Sequence, residues 1–156
     1  DKKRGQKAMR HGVALVLLLT VPITCYGQGL TITGASTHYG SEGPKTEINP
    51  GVIQTLPASV QPFGIAIRPS MGVMINSVGQ VSVLLGGESS YELVEDHVEI
   101  SARLGLATGY SGLVWVDSPQ GIIPMTSQSL RVGTKHLKLE LIHLPSAFGI
   151  GIRLSP

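Results

Sequence analysis

The stretch "HVEISARLGLA", residues 97–107, decides the fold. Val98, Ile100, Ala102, Leu104 and Leu106 occupy every second position, and Glu99, Ser101, Arg103, Gly105 and Ala107 fall between them. Side chains of a strand alternate between its two faces, so this spacing makes one face aliphatic and the other polar or small. A helix would scatter the same residues around its axis. Working outward, the pattern recurs in "HLKLELIHL" (136–144), where Leu137, Leu139 and Leu141 oppose Lys138 and Glu140. It recurs in "FGIGIRLSP" (148–156), with Ile150, Ile152 and Leu154 against Gly149, Gly151 and Arg153. In "FGIAIRPSMGVMIN" (63–76), Ile65, Ile67, Met71, Val73 and Ile75 oppose Ala66, Arg68, Ser70, Gly72 and Asn76. The chain is read as all-β.

Turn-forming clusters punctuate these runs: "SEGPKTEINPG", "NSVGQ", "ESSYELVEDH", "DSPQG", "VGTK" and "LPSA". Between them the pattern predicts strands over 29–37, 51–60, 63–76, 79–87, 97–109, 121–132, 135–144 and 147–155, with 110–118 assignable to the fifth or the sixth. Several run to nine residues or more, longer than the usual strand of a soluble sheet and matched to a tilted membrane span. The polar faces carry small residues (Ala66, Gly72, Gly105, Gly149, Gly151), which suits the crowded inside of an eight-stranded barrel. They also mix both signs of charge (Arg68, Glu99, Arg103, Lys138, Glu140, Arg153), which can pair across a narrow lumen. The expected architecture is a single antiparallel up-and-down barrel of about eight strands with its aliphatic face to lipid. The alternative is a soluble periplasmic β-sandwich binding module with the faces reversed. Residues 28–156 contain only six aromatics, few for two interfacial girdles, and the chain ends on "RLSP" without an aromatic.

Upstream, "GVALVLLLTVPITCYGQG" (12–29) is the most apolar stretch. Its apolar run, Gly12 to Ile23, falls short of the ~20 residues a helical span needs. Arg10 precedes it, and Cys25 and Gly27 stand at −3 and −1 of a small-residue site, so it reads as a secretory signal peptide cut after Gly27. Met9 is a candidate natural start. Residues 1–27 are then upstream sequence and leader, and 28–156 form one domain. Five of the twelve basic residues and one of the ten acidic ones precede the cut. The mature chain therefore holds seven basic and nine acidic residues, which removes the electrostatic case for nucleic acid.

Four motifs in order resemble a group of small exported proteins of proteobacteria and their phages, taken to be eight-stranded outer-membrane barrels. They are "STHYG" with "TEINPGV" (36–40 and 46–52), "GVMINSVGQVSVLLGG" (72–87), "LGLATGY" (104–110) and "IIPM" (122–125). The resemblance spans about residues 30–155, and it implies an outer-membrane location with outer-membrane lipid or lipopolysaccharide as the surroundings and partner. The chain departs from the group by aliphatic residues such as Met74 and Leu84 where strand aromatics stand, and by its non-aromatic end.

Barrels of this size include lipid A deacylases and palmitoyltransferases. A deacylase of that type uses a serine nucleophile, a histidine base and an acidic orienter, chemistry for which His38, Ser77 and Glu47 supply the residue types. No local motif such as G-x-S-x-G accompanies Ser77, and Glu47 beside Asn49-Pro50-Gly51 reads as a loop acid. His97, His136 and His143 lack tight metal-ligand spacing, and "EDHVE" (95–99) reads as an exposed acidic turn. Trp115 reads as an interfacial or core anchor. The expectation is a monomeric barrel with a structural or surface-interaction role, without metal or cofactor. Its candidate binding residues are His38, Asn49, Asn76, Ser77 and Tyr110, all expected at one rim.

Overall fold

A computed structural model describes residues 29–39, 45–57, 59–77, 79–110 and 121–156. The leader, residues 111–118 and Trp115 lie outside the described residues. The chain forms eight strands: β1 (Gly29–His38), β2 (Lys45–Thr55), β3 (Arg68–Ile75), β4 (Val81–Val94), β5 (Val98–Ala107), β6 (Ile123–Gly133), β7 (Leu137–Leu144) and β8 (Ala147–Leu154). Each pairs antiparallel with the next, and β8 returns to β1, closing the barrel. Closure leaves no strand edge to cover. The single antiparallel barrel is as expected, and the sandwich alternative is set aside by it.

Four strand boundaries depart by five residues or more from the sequence expectation: both ends of β2 (Lys45 and Thr55 against 51 and 60), the start of β3 and the end of β4. β2 begins at Lys45, not after Asn49, so "TEINPG" lies within a strand. The register of β1 shifts between Thr33 and Ala35, where Asn49 and Pro50 together face the single residue Gly34. A proline lacking an N–H is tolerated at such an irregular pairing. β4 extends to Val94 through "ESSYELV", whose polar residues face the lumen or pair with β5 and form no turn. Residues 62–64 form a short 3₁₀ turn with Phe63 at φ 55°, and only Ile67 of the run 63–67 bridges, to Val60.

The alternation is oriented with the aliphatic face outward. Ile100 and Leu139, the two diagnostic positions, are 43% and 48% exposed, in company with Leu104, Leu130, Val132, Leu141, Ile150 and Ile152. The charged residues are inside. Glu88 accepts hydrogen bonds from Arg103 Nε and from both terminal nitrogens of Arg131 (3.1 and 2.9 Å), and lies 3.4 Å from Arg153 Nη2. Glu140 accepts from Arg103 (3.0 Å), Arg131 (3.1 Å) and Thr31 Oγ1 (2.8 Å). Glu99 holds Arg131 and Lys138, the latter at 3.0 Å. Arg153 reaches Thr55 Oγ1 at 3.0 Å. Paired and hydrogen-bonded in this way, side chains that are almost never buried singly fill the lumen near the end where β1 starts and β8 stops.

Further along the axis an apolar layer takes over. Ile53, Leu84 and Ala107 are buried, with Met74, Tyr110, Ile123 and Met125 packed against them. Between the two layers Gly86 faces Gly105 across the β4–β5 pair, and a Cβ on either would lie 2.8 Å from the other's Cα. Small residues there allow the wall to close over bulky charges.

Candidate functional site

At the opposite end from the charged layer, four connections meet: those after β1, β3, β5 and β7. His38 ends β1, Asn76 and Ser77 directly follow β3, and Tyr110 lies three residues beyond β5. Asn49 is the fifth residue of β2, counted from the same end. All five sequence candidates therefore share one rim, although Asn49 occupies a strand interior and not a strand start.

Asn76 organises one side of this rim. Its side chain is 2% exposed, donating to the Gly109 carbonyl at 2.8 Å and to Ser82 Oγ at 3.0 Å, while its oxygen accepts the Gln80 N–H at 2.9 Å. Gly109, at φ 82°, is in the left-handed region that favours glycine and brings its carbonyl to Asn76. Ser82 in turn donates to the Thr108 carbonyl. Asn76 thus ties the β3–β4 turn to the segment after β5. Burial pushes the Tyr110 phenol up, a hydrogen bond with Ser82 opposes this, and the charge of Glu47 adds to it.

The other side is built by β1 and β2. Ser36 is opposite Glu47 in register, and His38 is opposite Lys45. His38 Nε2 lies 3.4 Å from Ser36 Oγ and 3.7 Å from Glu47 Oε2. Glu47 is therefore no loop acid: it stands in β2 with Oε2 buried and without a hydrogen-bond partner. Ser36 Oγ lies 2.6 Å from the Asn49 side chain. The Asn49 amide fits in two orientations. With Oδ1 toward Ser36 it accepts the Ser36 hydroxyl, and Nδ2 donates to the Ile75 carbonyl at 3.3 Å. Turned over, the amide nitrogen donates to Ser36 Oγ and to the Glu47 carbonyl (3.2 Å), and the oxygen accepts the Ser77 N–H (3.2 Å).

No family model matches the chain, and no curated protein does. The site is therefore read from its geometry alone. The structure brings His38 to Glu47 as the triad expectation required, but the hydroxyl it places against the imidazole is that of Ser36. Ser77 enters through its backbone N–H. Ser36 and Glu47 also meet the same ring nitrogen, whereas a triad orients its base through the other one. Sequence reasoning missed Ser36, although it stands two residues before His38 in "STHYG", a spacing that puts both on one strand face.

The discarded histidines stay apart. His97 lies in the β4–β5 turn with Nδ1 2.8 Å from the Glu95 carbonyl, and His136 sits at the same end with Nδ1 3.3 Å from the Ser155 carbonyl. The "EDHVE" run is split, since Glu99 turns into the lumen toward Arg131. His143 stacks on Phe148 (centroids 4.9 Å), and its Nε2 lies 3.1 Å from the Tyr39 hydroxyl.

Proposed function

We propose that this chain is a small integral outer-membrane β-barrel with a structural or surface-interaction role, closed inside and presenting its polar rim to the exterior. The observation that carries the reading is the direction of the alternation: Leu, Ile and Val line the outer wall, while Glu88, Arg131 and Glu140 are at most 1% exposed inside. In water such a wall would expose apolar area far beyond the few hundred Å² usual for a soluble monomer, whereas lipid covers it without cost. The partner implied is outer-membrane lipid or lipopolysaccharide around a single barrel. The resemblance of the "STHYG", "GVMINSVGQ" and "LGLATGY" blocks to small exported barrels supports the same location, with both termini of the barrel periplasmic.

A lipid A-modifying acyl hydrolase is the rival function. The shared contact of Ser36 and Glu47 on one nitrogen of His38 does not favour it, because the carboxylate at the ring among the described residues, Glu47, meets the same nitrogen as the hydroxyl and does not orient the ring from behind. A role at the surface is the better fit to a rim held by hydrogen bonds between turns.

Expression of the full chain in a Gram-negative host tests the location. The mature protein is expected in the outer-membrane fraction, and its migration in SDS gels should change on boiling. Recovery as a periplasmic protein that stays soluble without detergent would overturn the proposal.

A further inference from the structure

We propose that the connection between β2 and β3 is an interfacial anchor, which seats Phe63 in the phospholipid headgroup–acyl boundary at the end of the barrel opposite the polar rim. The inference rests on the membrane reading above and adds a specific lipid contact to it. The segment that carries it, "LPASVQPFGIAI" (56–67), contains no charged residue. The other two connections at this end are of the usual water-facing kind: Glu95, Asp96 and His97 follow β4, and Thr134, Lys135 and His136 follow β6.

The turn is a built structure. Val60 and Ile67 exchange backbone hydrogen bonds at 3.0 and 2.8 Å, and the Ile65 N–H donates to the Pro62 carbonyl at 3.1 Å. Between them Phe63 (φ 55°) and Gly64 (φ 78°) both lie in the left-handed region. A turn with two such central residues favours Asn, Asp or Gly at the first of them, and a bulky side chain there is rare. Phe63 occupies that position all the same, and its ring is fully exposed, at 102%. Val60 and Ile65 beside it are 66% and 56% exposed. Backbone strain is spent on holding an apolar ring away from the rest of the protein, so the compensating contact comes from outside the chain.

The position of the turn says what that contact is. Pairing of β3 with β4 ends at Arg68 and Glu88, whereas β4 runs on to Val94 against β5. The connection stands beside this extension, since a Cβ on Gly87 would lie 2.7 Å from Ile67 Cγ2. Gly87 is in phase with the outward-facing Leu85, so Ile67 lies over the outer side of the wall. Tyr91 and Leu93, on the extension, carry the exposed apolar surface of the wall along β4 toward the same end of the barrel.

The aromatics support a lipid boundary independently. Tyr110 packs inside the barrel. The other four in the described residues are exposed, and they fall in pairs toward the two ends. Tyr39 and Phe148 stand at the polar rim with ring centroids 5.5 Å apart, and Phe63 and Tyr91 lie toward the opposite end. Aromatic rings concentrate at the two interfaces of a bilayer, where apolar segments sink about 5–10 Å into the headgroup region. Too few for full girdles, the rings still mark both boundaries, and the β2–β3 turn supplies one that no strand carries.

The test uses the chain with Trp115→Phe, folded into phosphatidylcholine vesicles with brominated acyl chains, which quench tryptophan on contact. Emission is read from Phe63→Trp and, separately, from Leu139→Trp on the wall. Brominated lipid should quench most of the emission of both, and aqueous iodide should have little effect on Phe63→Trp. If Leu139→Trp is quenched by lipid but Phe63→Trp only by iodide, the anchor is overturned and the membrane barrel stands. Shielding of Phe63→Trp from both quenchers means that a second copy or another protein covers the ring, which overturns the proposal as well. Absence of lipid quenching at Leu139→Trp overturns the membrane reading and the anchor with it. Phe63→Asn sets the bilayer against the turn. Asn suits positive φ, so the turn alone predicts an unchanged or higher urea midpoint, whereas the anchor predicts a lower one in vesicles. A midpoint that does not fall overturns the proposal. Heat-modifiable migration of each variant identifies any that fails to fold.

Discussion

Glu88→Gln is the sharpest probe of the charged layer. The carboxylate is 1% exposed and holds Arg103, Arg131 and Arg153 together. At an effective dielectric constant of 20, each close pair represents about 4 kcal/mol of gross attraction. Removing the charge also removes its own desolvation cost, several kcal/mol, so the gross sum is not the net effect. What remains is a buried group of Arg103, Arg131, Arg153 and Lys138 balanced by Glu99 and Glu140, with the half-exposed Glu92 only at 3.8 Å from Lys138. Loss of one partner from such a group typically costs about 3–5 kcal/mol, and that is the destabilisation expected here. Arg131→Met in the same chain relieves part of the excess positive charge. The double variant should therefore lose less than the sum of the single losses, by about 0.5–3 kcal/mol. Urea unfolding in lipid vesicles, followed by circular dichroism and by gel migration, measures all three. A cost below about 1 kcal/mol for Glu88→Gln, or strict additivity with Arg131→Met, would refute the account of a coupled charge layer.

Two further changes probe other layers. Leu139→Arg, on the outer wall opposite Val132 and Ile152, should cost about 2–4 kcal/mol in unfolding from a bilayer if it lies near the midplane. An arginine tolerated there without measurable loss of stability would contradict a lipid-covered wall. Asn76→Ala leaves the Gly109 carbonyl and the Gln80 N–H without their partner and should cost about 1–3 kcal/mol, seen as a lower urea midpoint with an unchanged slope.

The fold was legible where alternation was uninterrupted. β7 and β8 fall within two residues of the expected spans, because Leu137, Leu139 and Leu141, then Ile150, Ile152 and Leu154, keep strict period two to their ends. β2 was misread because Asn-Pro-Gly is turn chemistry in isolation, and only the partner strand's shift at Gly34 makes room for Pro50 in the sheet. The end of β4 was misread because Glu88, Ser90 and Glu92 look like solvated loop residues until Arg103, Arg131, Arg68 and Lys138 arrive from other strands. Pairings of that kind depend on lateral register around the barrel, which no local window contains. The rim was located from strand order alone, but its partners were not. Ser36 displaced Ser77 against His38 because cross-strand register sets Ser36 beside Glu47.

Against β8, where Gly151 and Ile150 are consecutive partners of Thr33 and Ala35, Gly34 is an extra residue, and this has a consequence for how the molecule can change. Below it, β1 turns its odd-numbered residues inward: Gly29 and Thr31 are buried, and Thr31 bonds to Glu140 and Arg103. Above it the even-numbered ones turn inward, Ser36 and His38 meeting Glu47 and Asn49. A single strand thus runs in two phases, with the slip between them. An uninterrupted alternation would carry Thr31 into the lumen and His38 out onto the wall, and one surface would exist only at the expense of the other. With the slip, the two ends of the barrel are separately adjustable. The charge-filled end can hold the closed cylinder unchanged while residues above Gly34 drift, lengthen or acquire new ligands, without any side chain below being turned to the wrong face.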